Sequence, residues 1–350
     1  MFTDVFVRRK GRWQAVNAQE NAVPPKPGRL PIETPVIWNP RPAARDCRST
    51  AYSAVAALTF CAWLATCAPA LGQGTGVNDG FTTTRPGVRI HYLQAGSTTE
   101  APALILIPGW RMPAWLWREQ LQRFSSVTRV LAVDPRSQGE SSNTADDNTP
   151  ETRASDLHDA LETLGVTRYV LVGWSQGAQD VAAYVQQFGM DAVAGIVFVD
   201  SPVSAGSAEV VIRSQFAQAI LSQIAVYGAH PKEFTEGMVR SLFLKPHPEL
   251  DLQAVVTSAL RTPTNTGIAM LVTDIFGVDR RPVLSTINKP TLVIASAASP
   301  LLGAQRDMAS AVPGAKFIVV EGAGHAVFID QPQQFDEALN AFLRALARHR

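Results

Sequence analysis

The chain has 350 residues, of which 46% are hydrophobic and 17% charged, and its formal net charge is +1 at neutral pH. This composition indicates a globular protein with a sizeable core, and the balanced charge gives no reason to expect nucleic acid or an anionic membrane surface as a partner. The three cysteines, Cys47, Cys61 and Cys67, all precede residue 72. A disulfide framework, a cysteine-ligated metal site and a thiol nucleophile are therefore excluded from the rest of the chain.

The first 72 residues are predicted to be a leader that precedes the folded domain. Residues 1–48 contain seven prolines and no sustained hydrophobic period, which predicts a disordered extension. Residues 49–72 carry no charge, and their apolar run at 54–65 lies between upstream arginines and the segment Ala68-Pro69-Ala70. A basic flank, a short apolar centre and a small-residue exit are typical of a secretory signal peptide.

This segment determines the expected location of the protein. Removal of the signal would release residues 73–350 as a secreted or periplasmic protein that is not stably inserted in a membrane. An uncleaved membrane anchor is the alternative, although the apolar run is shorter than the roughly 20 residues that a membrane span needs. Because signal peptides begin near the N-terminus, we also expect translation to start downstream of Met1.

From residue 81 onward, strand-like and helix-like segments alternate. Residues 82–84 and 88–95 flank Pro86-Gly87 and are predicted to pair as antiparallel strands. Short runs that are apolar on both faces then indicate strands buried in a parallel sheet. These runs cover 103–107, 130–133, 169–172, 196–199, 291–295 and 317–320. Amphipathic helices are predicted over 154–164, 176–188 and 335–347. The alternation predicts an α/β fold with a doubly wound, mostly parallel eight-stranded sheet.

The strand rhythm stops between residues 202 and 281. Segments of helical character there cover 209–225, 231–244, 249–260 and 265–276. An insertion of this kind predicts a helical cap over the carboxyl edge of the sheet, where ligands bind in this architecture. Residues 73–350 are therefore predicted to form one domain with an inserted cap.

The segment Gly173-Trp174-Ser175-Gln176-Gly177 lies between a predicted buried strand and a predicted helix. A serine between two glycines in this context is typical of the sharp turn that carries a nucleophile. Side chains at Gly173 and Gly177 would collide with neighbouring backbone, and the serine hydroxyl would lie at the positive end of the helix. The bare pattern arises by chance about 0.1 times in such a chain, so the flanking elements carry the prediction. An ordinary strand-to-helix turn is the alternative.

Among the six histidines, His325 is the candidate base. It follows the glycine-containing loop 321–324, which comes after the last predicted strand and can turn back over the sheet edge. A serine hydroxyl is a poor nucleophile unless a base takes its proton, and imidazole has a suitable pKa near neutral pH. We interpret the other five histidines as surface or partly buried side chains.

Residues 81–347 resemble the α/β-hydrolase superfamily, in particular its small serine esterase and cofactor-free perhydrolase branch. The resemblance rests on GWSQG at 173–177, on the DPRSQGES loop at 134–141 and on GAGH at 322–325. It implies a structural role for Asp134, which holds its loop in place.

The resemblance also implies an oxyanion hole made by the backbone N–H groups of Trp110 and Gln176. The family's His-Gly dipeptide is Pro108-Gly109 in this chain. Both donors survive this departure because neither depends on a side chain, and each such donor typically contributes about 3 kcal/mol to the transition state.

A second departure concerns the acid of the expected triad. Most of the family carries an acid after the strand predicted here at 291–295, where this chain has Ser299. Part of the family takes the acid from the end of the preceding strand, which is Asp200 here. A carboxylate at that position can reach the far nitrogen of His325 and fix its tautomer. Asp200 is the predicted acid; a mere turn cap at Asp200, an acid at Asp307 and no acid at all are the alternatives.

Together these residues predict acyl transfer to Ser175, followed by hydrolysis of the acyl-enzyme, with a small-molecule carboxylic ester as substrate and neither metal nor cofactor. Tryptophans near the two motif loops predict an aromatic acyl pocket, with Trp174 in its wall; packing of the first helix is the alternative for Trp115 and Trp117. Perhydrolase or haloperoxidase-like activity at the same site is a second candidate function. A non-catalytic binding protein on the same fold is a third.

Overall fold

The computed structural model describes residues 4–9, 12–17, 76–85, 88–97, 100–206 and 215–348. The predicted signal segment and most of the predicted disordered extension lie outside these residues. Within the extension, Asp4–Arg9 (β1) and Arg12–Asn17 (β2) pair as an antiparallel hairpin, which the sequence interpretation did not include. The prolines of the extension begin only at Pro24, and the preceding residues are rich in valine and aromatic side chains, which favour strands.

A mixed eight-stranded sheet lies at the centre of the domain. Its strands are β3 (Asn78–Arg85), β4 (Val88–Ala95), β5 (Ala103–Ile107), β6 (Val130–Val133), β7 (Tyr169–Trp174), β8 (Val193–Val199), β9 (Thr291–Ser296) and β10 (Lys316–Val320). Their order is β10-β9-β8-β7-β5-β6-β4-β3. Neighbours from β10 to β6 are parallel, whereas β4 pairs antiparallel with β6 and with β3. The predicted fold class and each of the eight predicted strands are confirmed.

Helices cover both faces of this sheet. Those outside the cap are α1 (Arg118–Phe124), α2 (Pro150–Thr163), α3 (Gln176–Phe188), α8 (Leu302–Ala311), α9 (Val327–Asp330) and α10 (Pro332–Arg348). Along β7, Val170 and Val172 pack in the hydrophobic cluster that contains α1 and α10. Tyr169 and Leu171, which point to the opposite face, pack in the cluster that contains α2 and α3. The strand is apolar throughout because both of its faces are buried.

Helices of the predicted cap lie between β8 and β9. In the described chain they are α4 (Gln215–Ala229), α5 (Pro231–Ser241), α6 (Leu252–Ala259) and α7 (Thr264–Phe276). Pro231 occupies the first turn of α5, where the missing N–H is tolerated. The Asp251 side chain caps α6 by accepting a hydrogen bond from Ala254 N at 3.0 Å. No helix among the described residues is long and apolar enough to cross a membrane.

Candidate active site

Ser175 lies on the turn between β7 and α3, at the carboxyl edge of the sheet. Its backbone has φ 56° and ψ −119°, a conformation that L-residues rarely adopt. A Cβ added to Gly177 would lie 2.6 Å from the carbonyl oxygen of Ile107, and one added to Gly173 would collide with the backbone of Gly177. The predicted requirement for both glycines is therefore confirmed, and the strained turn presents the serine as a nucleophile elbow does.

A small cavity of about 50 Å³ adjoins this serine. Core and cap residues line it together: Trp110, Ser175, Gln176, Gln179, Ser201, Ile220, Gln223, Phe234, Leu271, Asp274 and Ile275. The loop that carries Trp110 approaches closely, since a Cβ added to Gly109 would lie 3.0 Å from the Cβ of Ser175. The structure thus brings both residues predicted for the oxyanion hole, Trp110 and Gln176, to the wall that contains Ser175.

His325 and Asp200 form a buried pair near this turn. The Nδ1 atom of His325 lies 2.8 Å from Oδ2 of Asp200, and their side chains are 11% and 2% exposed. The other carboxylate oxygen of Asp200 accepts hydrogen bonds from Ser296 N at 2.9 Å and from Gln305 Nε2 at 3.1 Å. Asp200 is thereby held in one orientation at the end of β8. Trp174 holds His325 in place, because its indole Nε1 donates a hydrogen bond to the carbonyl oxygen of His325 at 2.9 Å.

Burial and pairing set the charge of this pair. Burial lowers the pKa of His325 below its ordinary value and outweighs the raising effect of Asp200. Burial raises the pKa of Asp200, but its hydrogen bonds with His325, Ser296 and Gln305 more than compensate, so the net direction is downward. At neutral pH the carboxylate is therefore ionised and the imidazole is neutral, which is the state a general base requires.

Gln305 explains how the pair persists with a serine at the family's usual acid position. From α8, its Nε2 donates to Oδ1 of Asp200 at 3.1 Å and to Oγ of Ser299 at 2.9 Å. Ser299 therefore lies in the hydrogen-bond network around Asp200. Asp307, the other carboxylate considered, is exposed on the same helix. Sequence reasoning missed Gln305, since nothing in its local pattern distinguishes it from a surface glutamine.

Trp174 was predicted in the wall of the substrate pocket, but it does not line the cavity beside Ser175. Its side chain is fully buried and is absent from the described cavity wall. It packs edge-on against Trp117 and Phe328, because the last residue of β7 points into the core on the side of α9. Trp117 stacks on Phe328 with ring centroids 3.7 Å apart, which agrees with the packing alternative. Among these tryptophans, Trp110 is the one that lines the cavity.

Asp134 has the contacts expected of a structural residue. Its carboxylate accepts hydrogen bonds from the backbone N–H groups of Ala114 at 2.6 Å and Glu140 at 2.9 Å. Its Oδ2 also lies 2.6 Å from Nδ1 of His91. These contacts tie the 134–141 loop to β4 and to the segment that follows Gly109.

A second buried carboxylate, Asp330 on α9, ties the His325 loop to the cap. Its Oδ2 accepts from Gly324 N at 2.6 Å and from Leu244 N at 2.8 Å, and its Oδ1 lies 2.6 Å from Nε2 of His247. Burial lowers the pKa of His247, but Asp330 and Glu249 raise it by more. Sequence reasoning assigned neither residue a role.

A buried ionic cluster joins the cap to the residue after the nucleophile. Asp274 of α7 accepts a hydrogen bond from Arg153 Nη2 at 2.8 Å and another from Gln176 Nε2. Arg153 also pairs with Asp180 of α3 at 2.8 Å. Burial raises the pKa of Asp180 to about 6 despite this arginine. Among the described residues, no group of histidine, cysteine, aspartate and glutamate side chains could hold a metal ion.

A serine on a strained strand-to-helix turn and a His–Asp pair, both at the carboxyl edge of a mostly parallel sheet, define the α/β-hydrolase class. A sequence profile of the alpha/beta hydrolase fold matches residues 102–332, more than half of the chain. The chain belongs to this family.

Two similar proteins span most of their own length in the comparison. N-formylmaleamate deformylase of Pseudomonas putida is 27% identical over 263 residues, 73% of this chain and 93% of that protein. Pimeloyl-[acyl-carrier protein] methyl ester esterase of Aliivibrio salmonicida is 28% identical over 254 residues, 70% of this chain and 93% of that protein. The crystal structure of bromoperoxidase from Bacillus anthracis has a TM-score of 0.68 at 23% identity, over 76% of this chain and 100% of that chain. The structural likeness supports the fold alone.

Proposed function

We propose that the chain is a serine hydrolase that cleaves a carboxylic ester through an acyl-enzyme on Ser175, with His325 as general base and Asp200 as its acid. The observation that carries the proposal is the buried 2.8 Å contact between His325 and Asp200 near the strained turn that presents Ser175. The methyl ester esterase among its relatives supports an ester as the substrate class.

The reaction follows from the roles of these groups. His325 takes the proton of Ser175 Oγ as the oxygen attacks the ester carbonyl, and Asp200 stabilises the imidazolium that forms. The backbone N–H groups of Trp110 and Gln176 bind the oxyanion, and the N-terminus of α3 adds its positive dipole. His325 then protonates the leaving alkoxide. Water, deprotonated by the same imidazole, then attacks the acyl-enzyme, and His325 returns the proton to Ser175 Oγ as the acid is released.

Labelling with a fluorophosphonate probe tests this proposal. The probe phosphonylates an activated serine, so we expect one label per wild-type chain and none in Ser175→Ala. Ser201→Ala is the matched control, because Ser201 lines the same cavity but donates its hydroxyl to Pro202 O at 3.1 Å. An unlabelled wild-type chain would favour the non-catalytic binding protein.

Rates on p-nitrophenyl esters of increasing acyl length test the substrate range. Because the cavity beside Ser175 is small and lined by cap residues, we expect kcat/KM to be greatest for short acyl groups and to fall with length. If the probe labels Ser175 but no ester in the series is hydrolysed, the serine is activated but the proposed ester hydrolysis is wrong.

A further inference from the structure

The side chain of Gln176 forms part of the wall beside the proposed nucleophile, although the oxyanion hole uses only its backbone. We infer that the acyl group of the substrate carries a hydrogen-bond donor, a hydroxyl or an amide N–H, which binds the side-chain oxygen Oε1 of Gln176. This inference rests on the proposed function and narrows the substrate class of the same site.

The orientation of this amide is fixed by its neighbours. A carboxylate can only accept hydrogen bonds, so the contact between Gln176 and Oδ2 of Asp274 must be made by Nε2. Arg153, whose side chain is 1% exposed, donates a hydrogen bond to Oδ1 of Asp274 at 2.8 Å and holds this carboxylate in place. If the amide were flipped, Oε1 of Gln176 would face Oδ2 of Asp274, and neither oxygen could donate a hydrogen bond to the other. Oε1 of Gln176 is therefore a fixed acceptor.

This acceptor has no hydrogen-bond donor among the described residues. Gln176 is 4% exposed, and its Oε1 is buried without a partner. Buried acceptors in folded proteins are nearly always satisfied, and one that is not carries a desolvation cost. The cavity borders Gln176 directly, so a ligand that enters it can supply the missing donor.

The rest of the cavity wall indicates a neutral donor on a compact acyl group. Asp274 already pairs with Arg153 and accepts a hydrogen bond from Gln176, so its charge has a partner without a cationic substrate. The apolar part of the wall is formed by Phe234, Leu271 and Ile275. A simple alkyl chain would fill the apolar side but leave Oε1 of Gln176 unsatisfied, whereas an acyl group with one donor satisfies both sides.

Matched pairs of methyl esters test the inference on the wild-type chain. Methyl 2-hydroxypropionate, methyl 3-hydroxybutyrate and methyl succinamate each carry a donor at a different distance from the carbonyl. Their partners are the two methoxy compounds and the N,N-dimethylamide, which keep the acceptor and add bulk but lose the donor. We expect kcat/KM for at least one donor ester to exceed that of its partner by about tenfold or more, since a site built to bind a donor discriminates against its loss.

Replacement of the side chain assigns the preference to Gln176. In Gln176→Met, which keeps the backbone N–H and the side-chain length, we expect the donor-to-partner ratio to fall to about one. Gln179→Met is the matched control: Gln179 lines the same cavity, but its Oε1 already lies 3.5 Å from Nη1 of Arg280. The ratio in this control should remain that of the wild type. The comparison uses ratios, so a change in the absolute rate of either variant does not affect it.

The outcomes separate this inference from the proposed function. If the fluorophosphonate labels Ser175 and all six esters are hydrolysed without a donor preference, the inference is wrong and the serine hydrolase stands. A preference that persists in Gln176→Met would also overturn it, because another group would then bind the donor. If neither labelling nor hydrolysis occurs, the proposed function fails and the inference fails with it. Should Gln176→Met not fold, the same donor-to-partner ratio measured in Gln176→Leu decides the matter.

Discussion

Asp200 is the residue whose role the structure makes most directly testable. Its carboxylate holds Nδ1 of His325 at 2.8 Å, so Asp200→Asn would present an amide to the imidazole and favour the wrong tautomer. We expect kcat to fall by about 10⁴-fold, as for other triads that lose the acid in this way, while the fold is kept. Steady-state kinetics and thermal unfolding measure the two effects.

Asp307→Asn is the matched control for that change. Asp307 lies on α8, the helix that carries Gln305, but its side chain is exposed. Its kinetic constants should remain near those of the wild type. Equal losses in the two variants would show that Asp200 is not the acid.

The pKa of His325 predicts the acid limb of the pH–rate profile. Burial lowers this pKa below the ordinary 6.5, and the enzyme needs the neutral imidazole, so kcat/KM should rise with pH through a midpoint below 6.5 and level off near neutral pH. Asp200 raises the pKa of His325, so the residual activity of Asp200→Asn should have a still lower midpoint. A wild-type midpoint above pH 7 would contradict the assignment of His325 as a buried base.

At the scale of elements, the short helix α9 positions the loop that carries His325. Asp330 accepts hydrogen bonds from Gly324 N and Leu244 N and contacts His247. In Asp330→Asn an NH₂ group in place of Oδ2 would face the N–H groups of Gly324 and Leu244, and one in place of Oδ1 would end the charged contact with His247; a lost buried hydrogen bond typically costs about 1–3 kcal/mol. We expect a lower Tm and a reduced kcat, because the loop loses its anchor.

Glu249→Gln is the control for this change in the same cluster. Glu249 contacts the other nitrogen of His247 at 2.7 Å, but its side chain is 66% exposed, and exposed pairs contribute little to stability. Its Tm and kcat should change little. An unchanged kcat in Asp330→Asn at a reduced Tm would assign Asp330 to stability alone.

Periodicity predicted the elements because each strand and helix has its own local pattern. Apolar runs identified the strands, and the glycines around Ser175 identified the strained turn, whose geometry follows from residues close together in sequence. Asp200 could be proposed because the end of a strand lies at a definite edge of the sheet. Gln305 and Asp274 could not, since their partners are distant in sequence: Arg153 and Asp274 are 121 residues apart. Such contacts depend on how the cap and α8 pack against the rest of the domain, which no local pattern determines.

At the scale of the whole molecule, similar proteins match about three quarters of the chain. The Pseudomonas putida deformylase matches over 93% of its own length with 73% of this chain, and the bromoperoxidase structure aligns over 100% of its length with 76%. The eight-stranded sheet begins at Asn78, and every residue proposed to take part in catalysis follows it. The eight-stranded sheet and the residues of the proposed site therefore all lie after residue 72.

A truncated chain that starts at residue 73 should consequently fold and retain the kcat/KM of the full chain within about twofold, since no catalytic contact is lost. The matched control starts at residue 86 and lacks β3. It loses the pairing of β3 with β4, the contact of Asp79 with His91 at 3.1 Å and the hydrogen bond from Thr84 to Asp156 at 3.0 Å. This control should unfold at a lower temperature, because β4 becomes an uncovered edge strand. If the 73–350 chain instead unfolds at a lower temperature than the full chain or has a lower kcat/KM, the leading segment, including the β1–β2 hairpin, contributes to the stability or activity of the hydrolase domain.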